Sequence, residues 1–143
     1  MPVQFFSESI EFNLSEKPVI IQWLLDIISN HHYELEELNY IFCDDDYLLR
    51  INQEYLSHDS LTDIITFDNS DIESTIEADI FISIERVKEN AAAYSKTFEL
   101  ELYRVLAHGL LHLLGFKDKS EAETSEMRKN EEACLSLLSK KLQ

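Results

Sequence analysis

The stretch Phe98–Leu114 restricts the fold more than any other part of the chain. It reads as a long helix stopped by Gly115, and leucines crowd its second half at positions 106, 110, 111, 113 and 114. A helix that is apolar on so many sides is stable only when other elements cover it. The rest of the chain must therefore build a core around it. With 143 residues there is material for one such core, so we expect a single domain spanning residues 1–143. Hydrophobic residues make up 45%, against only 2 Gly and 2 Pro, which excludes disorder, collagen and linker-rich arrays.

The covering elements can be read from local pattern. Val3–Phe6 and Ile10–Asn13 alternate like two short strands, and Ser15 and Pro18 precede a helix over about Lys17–His31. Glu37–Cys43 is a strand rich in aromatic and β-branched residues. The acidic triplet Asp44–Asp46 caps a helix over Tyr47–Leu56. Thr62–Phe67 and Glu77–Ile84 read as neighbouring strands across the polar loop Asp68–Thr75. Helices then follow at Glu85–Tyr94, Phe98–Leu114 and Ser120–Lys141. Strands dominate the first half and helices the second. This order predicts an α+β fold, a small mixed sheet packed with about five helices, rather than a doubly wound parallel sheet.

Charge and cysteine content narrow the function. Twelve Lys and Arg face 28 Asp and Glu, for a net charge of −16, which repels nucleic acid and anionic membrane at long range. Any polyanion binding must be local. Six of the 12 cations (Arg86, Lys88, Lys96, Arg104, Lys117 and Lys119) fall in residues 86–119, although glutamates at 85, 89, 99 and 101 also fit an ordinary solvated helix face. The final helix, with Glu121, Glu123, Glu126, Glu131 and Glu132, reads as acidic surface. Cys43 and Cys134 read as reduced core thiols of a cytoplasmic protein, and neither a signal sequence nor a membrane span is expected.

Chemistry concentrates at the end of the long helix. His108 and His112 lie four residues apart, so both imidazoles can reach one cation. Gly115 permits a left-handed turn that can carry Asp118 back toward the same point. Two nitrogens, one carboxylate and an open position suit a catalytic ion, whose water becomes the nucleophile or base. The ordinary alternative is a pair of hydrogen-bonded core histidines. Gly109 stands where His-Glu-x-x-His proteases place their general base, which excludes that peptidase mechanism.

The run His108-Gly109-Leu110-Leu111-His112-Leu113-Leu114-Gly115-Phe116 resembles the signature of the bacterial YbeY rRNA maturation factors, metal-dependent endoribonucleases. Asn52-Gln53-Glu54-Tyr55 through Leu61-Thr62-Asp63-Ile64-Ile65-Thr66-Phe67 is similar to that family's Asn-x-x-Tyr … Thr-Asp-Val-Leu-Ser-Phe stretch. Ala78-Asp79-Ile80-Phe81-Ile82-Ser83 resembles its Gly-Asp-Ile-x-Ile-Ser strand. The likeness runs in order over about residues 38–120. Three positions depart from the pattern: Asp118 replaces a third histidine, Leu56 replaces an arginine associated with RNA, and Leu61 replaces a proline.

The resemblance implies a single-strand endoribonuclease acting in ribosomal RNA maturation and small-subunit assembly, with ribosomal and assembly proteins as partners. One Zn2+ per chain is the expected cofactor, although a carboxylate among the ligands also admits other divalent transition metals. The expected ligands are His108, His112 and Asp118, with Asp63 and Asp79 as outer partners. For Asp79, bonds to backbone amides or a hydroxyl at the sheet edge are an equal alternative. Arg104, Lys117 and His58 are the candidate substrate-binding residues, His58 having an exposed loop position as its alternative. The competing functions are a noncatalytic assembly factor with a structural metal and a metallohydrolase of another substrate.

Overall fold

The structure, a computed structural model, describes residues 2–57 and 61–143. In chain order the elements are β1 (Val3–Ser7), α1 (Lys17–Asn30), β2 (Glu34–Cys43), α2 (Asp45–Leu56), β3 (Ile64–Asp68), β4 (Thr75–Ser83), α3 (Ile84–Ala93), α4 (Phe98–Leu113) and α5 (Glu121–Leu142). The sheet order is β1-β2-β4-β3. Its first two pairings are parallel, and β3 joins β4 antiparallel. The α+β expectation, a mixed sheet with five helices, is therefore met.

Side-chain alternation divides the work of the sheet's two faces. Leu38, Tyr40 and Phe42 of β2 and Ile76, Ala78, Ile80 and Ile82 of β4 join α1, α4 and α5 in the main core. On the other face, Cys43 and Ile65 meet Leu48 of α2, with Phe67 and Phe81 beside them. Leu102, Val105, Leu106, Leu110 and Leu111 bury α4, as its composition requires. Polar bonds cross the same core: the Tyr40 hydroxyl donates to the Leu106 carbonyl at 2.9 Å, and Trp23 Nε1–H donates to that of Cys134 at 2.7 Å. Both cysteines are buried and free, and burial pushes their thiols up, to about 12 for Cys43 and about 11 for Cys134.

Local chemistry sets most boundaries. Asp44 Oδ1 accepts from the Tyr47 amide at 2.8 Å, and Ser120 and Glu123 form a reciprocal capping box at the start of α5. Two expectations need correction. Ile10–Asn13 is not a strand: Ser9 turns the chain at φ 65°, and Ile10 and Phe12 pack on the core as plugs, Phe12 standing edge-on to Phe42 and Phe98. The second strand begins at Glu34 rather than Glu37, because a register shift at Leu35/Glu37 breaks its alternation without ending its pairing with β4.

Gly109 lets α4 approach the sheet closely. A Cβ there would stand 2.8 Å from Ile64 Cδ1 and 3.1 Å and 3.2 Å from two atoms of Ile80. Gly109→Val should therefore lower stability by about 1–3 kcal/mol through overpacking. Urea unfolding checks this, and an unchanged midpoint would show that α4 can back away from the sheet freely.

Candidate metal centre

Thr97 caps α4 through the Leu100 amide, and the helix carries His108 and His112 on one face near its C-terminal end. Their rings meet edge to face, with centroids 4.6 Å apart and Nε2 atoms 3.1 Å apart. The helix closes through bonds from the Gly115 amide to the His112 carbonyl and from the Phe116 amide to that of Leu111. Gly115 adopts φ 103°, a conformation that a side chain would strain. The chain then doubles back, and Thr124 Oγ1 donates to the Asp118 carbonyl at 3.0 Å. Asp118 Oδ2 comes to lie 3.4 Å from Nε2 of both His108 and His112.

These three atoms form a triangle with edges of 3.1, 3.4 and 3.4 Å. Ligand atoms about 2.0–2.1 Å from a tetrahedral ion are separated by roughly 3.3 Å, so the triangle has the right size for one. His112 and Asp118 keep a third or more of their side chains exposed, which leaves the remaining direction open to solvent. The cluster could hold a metal ion in size and in donor chemistry.

Behind the triangle lies a buried set of charges. Glu131 of α5 takes a 2.6 Å bond from His108 Nδ1 and a 3.2 Å bond from Arg104, which also grips both carboxylate oxygens of Glu101 at 3.0 and 2.5 Å. Glu101 and Glu131 are only 2% and 3% exposed. Burial opposes ionisation of Glu131, yet the His108 hydrogen bond and the Arg104 charge outweigh it and hold the carboxyl below its ordinary value. The same carboxylates hold the Arg104 guanidinium firmly protonated. Glu101 and Glu131 share one guanidinium while Asp118 stands at the triangle itself, and a divalent cation would offset part of this excess of carboxylate.

The remaining sequence candidates are distributed unevenly. Asp63 precedes β3 near the cluster; burial pushes its carboxyl up, against the pull of Arg104 and His108, and Asn90 Nδ2 lies 3.5 Å from it. Asp79 is not brought to the site. Its register places it on the sheet face away from α4, where it bonds Asn39 at 3.0 Å and Asn69 at 3.4 Å. Arg104, expected to bind substrate, is instead committed to Glu101 and Glu131 and borders a separate hollow with Lys96 and Arg128. Lys117 borders a surface hollow with Phe116 and Glu126. Lys119, not Lys117, reaches the groove of about 700 Å³ beside His108 and His112. Asn52, Leu56, Thr62 and Thr66 also line that groove. His58 lies outside the described residues.

Sequence reasoning missed Glu131 and Glu101, assigning both to solvated helix faces. For Glu131 a signal existed: Met127, Glu131, Cys134 and Leu138 repeat at spacings of four, three and four and form the buried stripe of α5. A carboxylate on such a stripe requires a buried partner.

Comparison with known proteins agrees with this architecture. The family model described as Endoribonuclease YbeY matches residues 3–139. A Cytophaga hutchinsonii protein named Endoribonuclease YbeY is 53% identical over 93% of this chain and 93% of its own. A Flavobacterium psychrophilum protein of the same name is 49% identical over 92% and 94%. A Thermotoga maritima protein solved in solution shares the fold at a TM-score of 0.67, with 24% identity over 95% of this chain and 88% of that one. A match over nearly the whole length, on a chain whose glycine turn gathers two histidines and an aspartate, establishes that this protein belongs to the YbeY family.

Proposed function

We propose that the chain is a metal-dependent endoribonuclease that cleaves single-stranded ribosomal RNA during maturation of the small ribosomal subunit, in the cytoplasm. The observation that carries the reading is the His108–His112–Asp118 triangle opening onto the groove at the β3 edge. Family membership supplies the nuclease chemistry, and the name borne by the relatives supplies RNA as substrate. We take zinc as the resident ion, held by His108, His112 and Asp118. A divalent ion there supplies positive charge that polarises a phosphoryl oxygen and acidifies a water. The protein's part is to present three ligand atoms on a fixed helix end and to leave one side accessible to the strand.

The groove also indicates how RNA would be held. Thr62 and Thr66 offer neutral hydrogen-bonding groups, Leu56 and Ile64 offer apolar surface, and Lys119 offers a cation. Tyr55 is exposed and stands edge-on to Phe67 of β3, an aromatic surface on which a base can stack. Ribosomal and assembly proteins complete the proposed set of partners. No helix among the described residues is long and apolar enough to cross a membrane.

Metal content by mass spectrometry, with single-stranded RNA cleavage before and after chelation and re-addition of zinc, tests the reading directly. Metal without cleavage would favour a noncatalytic assembly factor. Asp118→Ala should weaken zinc binding by more than the roughly 10–100-fold typical of losing a residue that only supports a ligand. Asp118→His should retain or tighten it. Equal zinc affinity in wild type and Asp118→Ala would remove Asp118 from the ligand set.

RNA affinity should depend only shallowly on salt, with a log–log slope no steeper than about −2, because each single-strand phosphate contact contributes only about −0.7. Reversing Lys117 and Lys119 together to Glu should weaken binding, whereas reversing Lys140 and Lys141 should not. A titration series across salt concentrations checks both, and a larger effect from the C-terminal pair would displace RNA from the groove.

A further inference from the structure

The buried charges between α4 and α5 are costly to maintain, and the groove does not use them. Glu101 and Glu131 lie almost wholly out of solvent, and a guanidinium between them balances only one of the two carboxylates. Their arrangement is directional. Glu101 grips Arg104 through two bonds, Arg104 reaches Glu131 Oε1, and the other oxygen of Glu131 accepts from His108 Nδ1 at 2.6 Å. The line ends on the His108 nitrogen that is not part of the triangle with His112 and Asp118.

We propose that Glu131 is a positioning residue: by accepting the Nδ1–H of His108 it fixes that imidazole as an Nε2 metal ligand, while Arg104, held by Glu101, keeps Glu131 in place. The inference rests on the metal-ligand reading of His108 given above. An imidazole offers a lone pair at one nitrogen when the proton is held at the other, so a carboxylate on Nδ1 selects the tautomer whose Nε2 points into the triangle. It also blocks rotation of the ring, because turning it over would place the Cδ2–H against Glu131 and lose the 2.6 Å bond. In the neutral Nδ1–H tautomer the Nε2 of His108 is an acceptor, and the 3.1 Å contact is then satisfied by the Nε2–H of His112. Binding of an ion must therefore move the proton of His112 to its Nδ1, whereas His108 already has its proton in the required place. The two histidines are thus unequal: His108 is preset and His112 adjusts.

The test uses the full chain, zinc as the probe, competition with a chromophoric chelator for affinity, and long-range proton–nitrogen correlation of 15N-labelled histidine for the tautomers. In the wild type, His108 should carry its proton on Nδ1 both before and after zinc is added, and His112 should change from Nε2–H to Nδ1–H on loading. Glu131→Gln preserves shape but loses the charge; it should bind zinc about 10–100-fold more weakly and let the His108 tautomers mix. Glu132→Gln, an exposed neighbour of the same formal charge, should leave both readouts unchanged. Zinc affinity of Glu131→Gln within twofold of wild type would overturn the inference, as would a zinc-loaded His108 protonated on Nε2. If Glu131→Gln does not fold, the wild-type tautomers still decide it. A wild type that binds no zinc overturns the metal reading and this inference together, whereas zinc binding indifferent to Glu131 overturns this one alone.

Discussion

The candidate centre depends on the ion-paired contact of α4 with α5. Arg104 and His108 are four residues apart on α4, so one carboxylate on a neighbouring helix can serve both, and Glu131 does so with one oxygen for each. Such buried pairs add little net stability compared with an apolar contact of the same volume, but breaking one leaves an uncompensated charge and costs several kcal/mol, about 3–5 in measured cases. The contact therefore specifies geometry. It permits one rotation and one axial register of α5 against α4, and the ring of His108 inherits that precision.

The sheet supplies the second constraint. Gly109 follows His108, so the residue that brings α4 down onto Ile64 and Ile80 is adjacent to the first ligand. With the helix seated at that depth, His108 and His112 emerge at the β3 edge instead of being covered by the sheet. Tyr40, bonded to the Leu106 carbonyl, fixes the helix along its length from β2. Three elements distant in sequence thus hold one helix turn, and the glycine turn at 115 needs only to bring back a single carboxylate.

Much of this was legible in the sequence because it is local. The pair His108 and His112, the stop at Gly115 and the return of Asp118 all lie within one helix end, where spacing and a positive φ determine direction. The cap at Asp44 and the start of the last helix at Ser120 are legible for the same reason. What escaped was set across the fold. Ile10 and Phe12 alternate like a strand, but the turn at Ser9 carries them off β1 and their apolar side chains pack on the core instead. Arg104 looked like a cation free for RNA because Glu101, three residues away, reads as one side of a solvated helix face, and the partner that buries the pair, Glu131, is 27 residues away in sequence. Asp79 is different: Ala78, Ile80 and Ile82 take the core face, so the alternation of β4 itself turns Asp79 away from the centre.

The buried site also accounts for part of the chain's charge. Glu101, Glu131 and Asp118 contribute to a net of −16, yet two of the three are enclosed and engaged, so the field they project to solvent is smaller than the formula suggests. At the groove itself the lining is mostly neutral, with Lys119 and Asp68 opposed. A polyanion approaching this face would meet little long-range attraction and would be held by contacts that form only at close range: hydrogen bonds to the threonines, apolar surface at Leu56, and the charge of an ion at the triangle. In such a site a bound ion would be a principal source of attraction for phosphate as well as the centre of the chemistry. Losing it would weaken substrate binding and turnover together, which ties recognition to the same three ligand atoms that the α4–α5 contact keeps in register.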